Sequence, residues 1–210
     1  MIRRWFYYIL GLNLIAFAVV LYIRYDLGVA AFSSVMYAIA EIYGISMGTA
    51  SILCYLILVA VQCLLVRRVT VEFVLEIPLS FAFGLLIDLY DFLIPVIDGG
   101  FAMRLTLYCL TLYCLTLFVT ALGVFLCVKT DLVLTPVDGI VKTISEVFRL
   151  RFSLVKNGFD ISLVLVTAVL CLVNHAPFYG IGIGTVISAI CLGRIIKIYE
   201  THLFVNASLA

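Results

Sequence analysis

The sequence predicts an all-α, polytopic membrane protein. It is built from two inverted repeats of four segments each, giving six full spans and two short re-entrant helices. Three observations carry this reading. First, 66% of the 210 residues are hydrophobic and only 12% are charged, whereas soluble domains run near 45–50% apolar and about 25% charged. Second, the apolar residues fall into eight runs, roughly 5–23, 29–43, 48–66, 73–93, 103–128, 133–148, 153–173 and 178–199. Third, the last four runs repeat the first four. The two halves, 1–100 and 101–210, form one membrane domain.

Composition also excludes function classes. The 13 basic and 12 acidic residues nearly cancel, so the basic surplus of a nucleic-acid binder is missing. The seven cysteines all sit inside apolar runs, with no CxxC pair and no Cys/His cluster at zinc spacing. A disulfide framework, a metal site and a cofactor are therefore not expected. The expected partners are the bilayer, a small-molecule substrate and, left open, a second copy of the chain.

The first segment follows Arg3-Arg4 and runs from Trp5 to Ile23, about 28 Å as a helix, enough to span a bilayer. It imitates a secretory signal but leads straight into further apolar runs, so it reads as a retained span. The second and sixth segments are too short for convincing spans. The sixth opens with Thr135 as N-cap and Pro136 at the first helical position, a helix-start signal. It then carries Asp138, Lys142 and Glu146 at i, i+4 and i+8. Such a stripe is costly against lipid and must face protein or a water-filled cavity.

The repeat sets the register of the rest. Adding 105 maps residues 18–43 onto 123–148 with six identities, among them Asp26/Asp131, Leu27/Leu132 and Glu41/Glu146, and Arg24 falls on Lys129. After an insertion of four, an offset of 109 maps Gly84 through Tyr90 onto Gly193 through Tyr199. If the second and sixth segments enter and leave on one side, Arg3-Arg4, Arg67-Arg68, Arg149, Arg151, Lys156, Arg194 and Lys197 all lie on the cytoplasmic side. Arg24 and Arg104 are then left outside with Asp88, Asp91 and Asp98. This satisfies the positive-inside tendency and places both termini in the cytoplasm. Each half crosses three times, so the halves are inverted, a pattern of secondary transporters.

Several short motifs resemble the YczE/YitT-like bacterial integral membrane proteins, most closely the YczE branch. They are Asp26-Leu27-Gly28, Gly44-Ile45-Ser46-Met47-Gly48, the stretch Ile77 to Asp88, Asp131-Leu132, Pro136-Val137-Asp138-Gly139-Ile140 and Gly182-Ile183-Gly184-Thr185-Val186. The family often has proline near the position of Ala31, which this chain lacks. The resemblance implies a polytopic fold in the bacterial inner membrane and a transport role, and it names no substrate.

Two glycine motifs have plainer readings. Gly44-Ile45-Ser46-Met47-Gly48 matches the nucleophile-elbow pattern, but that chemistry needs a strand–turn–helix and a histidine within reach. Only His175 and His202 exist, so a turn is expected and an enzyme is not. Gly180 and Gly184 are spaced as GxxxG, for close helix packing or, alternatively, for a loosened turn opening the eighth segment.

Ionisable residues at membrane depth give the sharper signal. Glu76 lies two residues before Pro78, which frees the carbonyl of Val74. A carboxylate withdrawn from bulk water can exchange a proton within a physiological range, and Glu76 is the first choice for a coupling acid. Asp138 and Glu146 with Lys142 are the substrate-facing candidates. Their first-half counterparts, Ser33, Tyr37 and Glu41, keep one acid and no base. Arg24 and Lys129, each just before a short helix, are placed to gate or neutralise. The two short helices are expected to meet near the midplane with their N-terminal dipole ends available to a ligand. A small-molecule transporter, proton-coupled through such an acid, is the function this pattern favours. A non-transporting accessory protein acting through a protein partner is the alternative.

Overall fold

A computed structural model of the chain describes residues 2–95, 107–130 and 132–202, and these residues form helices without strands. In chain order the helices are α1 (Ile2–Tyr25), α2 (Ala31–Tyr43), α3 (Met47–Val66), α4 (Val71–Leu93), α5 (Leu107–Thr130), α6 (Pro136–Phe148), α7 (Phe152–Val173) and α8 (Ile183–His202). Asp98, Arg104 and Asp131 lie outside the described residues, as do the side chains of Phe152, Lys197 and His202.

The distribution of side chains is that of a membrane protein. Among the described residues, Arg3–Tyr25, Met47–Val66, Val71–Leu93 and Leu154–Val173 are long and apolar enough to cross a bilayer. Their outer faces are apolar: Ile57 and Leu64 on α3 are 62% and 76% exposed, and Leu85 on α4 and Leu165 on α7 are similarly bare. Water would penalise such a continuous apolar surface, whereas lipid covers it at no cost. The interior meanwhile holds Ser33, Ser34, Ser51, Gln62, Glu76, Ser80, Thr116, Thr143 and Thr167. Polar groups that lipid cannot satisfy have turned inward.

Four packing relations position the site. Helices α1 and α5 pair along their length and antiparallel. The Arg4 guanidinium at the start of α1 donates to the carbonyl of Thr130 at the end of α5, and Tyr22 shares a 2.9 Å hydrogen bond with Thr120. Gly11 and Gly123 face each other so closely that a Cβ on either would lie under 3 Å from the other's carbonyl oxygen. Helices α3 and α4 form a second antiparallel pair, joined at one end where Asp88 accepts from the Gly48 amide (2.7 Å) and the Ser46 hydroxyl (2.9 Å). The short helix α6 lies on α3, and the short helix α2 lies on both α3 and α7. Arg24 fastens the end of α1 to that of α4 by a 2.8 Å ion pair with Asp91 and a bond to the Ile94 carbonyl.

The glycine motifs are turns. Gly44 ends α2 in the left-handed region (φ 63°), and Ser46 caps α3 by accepting from the Thr49 amide. The elbow-like sequence is thus a helix–turn–helix joint. The GxxxG reading needs correction, because α8 begins only at Ile183 and Gly180 lies in the preceding turn with φ 71°. That turn interlocks with the α1–α2 connection: the Val29 amide donates to the Gly180 carbonyl and the Gly184 amide to that of Leu27. A Cβ on Gly182 would stand 2.4 Å from the Leu27 oxygen, so glycine is required there by close backbone approach.

Candidate functional site at the short-helix N-termini

Both short helices begin deep inside the bundle. Phe32, in the first turn of α2, stacks on Tyr55 at 5.1 Å, and Tyr55 in turn packs on Phe83 at 5.7 Å. Tyr55 and Phe83 lie near the middles of α3 and α4. A small void of about 10 Å³ adjoins them, lined by Leu12, Tyr55, Leu79, Ser80, Phe83, Thr135 and Pro136. It has room for roughly one water. The first residues of α6 therefore reach the same depth as those of α2, with Tyr55 between them. Both helices then run outward to exposed ends at Tyr43 and Phe148.

At the start of α6 the chain supplies its own cap. Thr135 accepts from the Asp138 amide at 3.4 Å while its hydroxyl donates to Asp138 Oδ2 at 3.0 Å. Pro136 stands where no amide donor is needed. Just beyond lies a buried polar cluster. Glu76, 2% exposed, accepts from Gln62 Nε2 at 2.8 Å, and Thr143 of α6 donates to Gln62 Oε1 at 3.3 Å. Ser80 donates to the Glu76 backbone carbonyl at 2.7 Å. Gly139 of α6 presents bare backbone to this cluster, since a Cβ there would meet Glu76 Oε1 at 2.6 Å and Gln62 Oε1 at 2.9 Å. Helix α6 thus docks on α3 and α4 through a carboxylate, an amide and a missing side chain.

The other residues singled out from the sequence are spread along the route outward. Asp138 is half-buried and pairs with Lys156 of α7 at 3.8 Å, and Lys156 also holds Asp160 at 3.1 Å. No ion pair joins Lys142 to Asp138 or Glu146 among the described residues, and Lys142 and Glu146 are exposed. Glu41 is exposed near the outer end of α2, Lys129 is exposed at the end of α5, and Arg24 is committed to Asp91. The structure therefore gathers Glu76 and Asp138 around the inner end of α6, with Lys142 and Glu146 further out on the same helix. It leaves Glu41, Arg24 and Lys129 apart from that group. Among the described residues no three His, Cys, Asp or Glu side chains gather as a metal site needs.

Sequence reasoning missed Gln62, Tyr55, Ser80, Thr143 and Gly139. Gln62 was findable: it is the chain's single glutamine and sits in an otherwise apolar run, where a polar side chain calls for a partner.

Fold and site define a polytopic helical membrane protein with a polar centre buried where two short helices begin. The chain belongs to DUF6198, a family of unknown function, whose model matches residues 2–201. No curated protein and no solved structure matches it.

Proposed function

We propose that the protein is an inner-membrane secondary transporter of a small organic molecule, built of two inverted repeats, with Glu76 as its proton-coupling acid. The observation that carries this is Glu76 itself: a carboxylate 2% exposed at the joint between a spanning pair and a short helix. A carboxyl in that place has different partners in its two protonation states. Ionised, it accepts from Gln62; protonated, it must also donate. Its proton and the docking of α6 are thereby linked, which is what alternating access requires of a coupling group.

The inverted-repeat architecture has independent support. Adding 105 to Ile2–Tyr25 and Ala31–Tyr43 gives the bounds of α5 and α6, and Gly44 and Arg149, also 105 apart, both end their helices in the left-handed region. Two packing pairs exchange under the same operation, α2 on α7 answering α6 on α3 and α1 with α4 answering α5 with α8, whereas among the described residues the α3–α4 pair has no such counterpart in α7 and α8. Equivalent helices α1 and α5 run antiparallel, as an axis in the membrane plane demands. Re-entrant α2 and α6 are supported by their inner N-termini and exposed outer ends. The charge distribution supports cytoplasmic termini, and the short motifs support the YczE/YitT-like kinship.

Proteoliposomes carrying an imposed pH gradient test the function when screened with a panel of small organic acids, bases and amino acids. Gradient-driven uptake of at least one compound is expected, and Glu76→Gln should abolish its dependence on the gradient while the protein still folds. Unchanged gradient-driven flux in Glu76→Gln would remove Glu76 from the mechanism. Failure of the whole panel, with a partner protein co-purifying through the exposed ends of α2 and α6, would favour the accessory role.

A further inference from the structure

The start of α2 differs from that of α6 in what it leaves unsatisfied. Its N-cap is Ala30, with no side-chain cap and no acidic residue in the first turn. Among the described residues the amides of Ala31, Phe32 and Ser33 have no hydrogen-bond partner, whereas the next one, on Ser34, reaches the Ala30 carbonyl. Among the described residues the Ser33 side chain, 7% exposed, has no partner either. Ser33 is the third residue of the helix, and helical side chains tilt toward the N-terminus, which aims its side chain toward that end. Orphan donors inside a bilayer are costly, and a buried helix start without partners is the anomaly to explain.

We propose that the N-terminus of α2 binds a small monovalent anion, held by its free amides with the Ser33 hydroxyl. The convergent donors and the positive end of the helix favour negative charge. Among the described residues no Lys or Arg side chain is shown at this end of α2: Arg24 is taken by Asp91, and Lys156 by Asp138 and Asp160. The site thus offers about half a positive charge and suits a monovalent anion, a carboxylate or a halide, better than a phosphate. At the repeat-related place in α6, Thr135 and Asp138 supply the cap and the negative charge from the chain itself. The proposal rests on the transporter reading only in making this anion a substrate.

The test is thermal unfolding of the full-length protein in detergent, titrated with sodium chloride or sodium acetate against sodium sulfate at constant ionic strength. A saturable rise of about 3–6 °C at tenfold excess over Kd is expected for the wild type. Ala30→Asp places a carboxylate of the chain at the same amides. It should unfold at or above the wild-type temperature in sulfate and lose the rise entirely. Ala30→Ser, a neutral cap, should weaken the rise and guards against failure of the charged variant to fold. A rise with acetate but not chloride, or with both, supports the site and tells carboxylate from halide. A wild type indifferent to either anion, or a rise retained in both Ala30 variants, overturns the proposal. The titration reads binding apart from flux, so an anion that binds but is not carried in the proteoliposomes would lose its place as substrate and leave the site standing.

Discussion

The two short helices have equal length, 13 residues each, yet they are held in place by different forces. Helix α6 is anchored by polar chemistry: a threonine cap, an N-terminal proline, and a backbone–carboxylate contact at Gly139 that leaves no room for a side chain. Helix α2 is anchored by packing. Phe32 stacks on Tyr55, Ser34 shares a 2.9 Å hydrogen bond with Thr167, and the preceding loop is clasped by Gly180 and Gly184. One helix start is therefore capped by the chain's own groups and packs on the buried acid of α4, while the other is left with donors to spare. The difference at the N-cap, Ala30 against Thr135, is enough to set the two starts apart.

The comparison breaks most sharply at Gln62. Gln62→Leu leaves Glu76 and Thr143 without their shared amide, and stranding a buried charged acceptor costs about 1.5–3 kcal/mol. A chemical-unfolding series in detergent should show that loss. In the Glu76→Leu background the same change should cost much less, because no carboxylate remains to be stranded. Equal costs in both backgrounds would mean that the polar cluster does not hold α6. Gly139→Ala comes next. Its Cβ would press on Glu76 and Gln62 at 2.6 and 2.9 Å, and overpacking of this kind costs about 1–3 kcal/mol. Ser34→Ala is the corresponding change in α2, 105 positions earlier. It should cost only about 0.6 kcal/mol, the average for a hydrogen bond between helices in a membrane. Comparable losses at positions 34 and 139 would erase the distinction between the two anchors.

Most of the helical order was legible in the sequence because apolar run length and cap chemistry are local signals. Thr135 and Pro136 announced the start of α6 to the residue, and each of the eight apolar runs lies over a helix. The depth of the helix starts and the partners of the buried acid were not legible, since they depend on which helices pack together. Glu76 was singled out from its place beside Pro78, yet nothing local indicated that Gln62, in the preceding helix, would meet it at 2.8 Å. The charged stripe shows the limit from the other side. Helical periodicity correctly put Asp138, Lys142 and Glu146 on one helix at one-turn spacing, but the nearest base to Asp138 belongs to α7, through Lys156. Spacing along one helix cannot foresee a competitor on another.

The smallest expected effect on stability falls on Lys142, and it separates two roles for the stripe. If Lys142 held Asp138 and Glu146 together in low dielectric, removing it would strand two acids and cost about 3–5 kcal/mol. With Asp138 paired to Lys156 instead, and with Lys142 and Glu146 exposed, Lys142→Met should leave the unfolding midpoint within error of the wild type. Adding Asp138→Asn and Glu146→Gln should then rescue nothing, because there is no stranded charge to relieve. Transport is expected to behave differently. A base on the outward run of α6 meets whatever travels between the inner end of that helix and the water. Lys142→Met should therefore slow flux in proteoliposomes, and the triple variant should not recover it. A large loss of stability in Lys142→Met, restored in the triple variant, would show that the stripe is a structural pair after all. It would also remove Lys142 and Glu146 from the substrate's path.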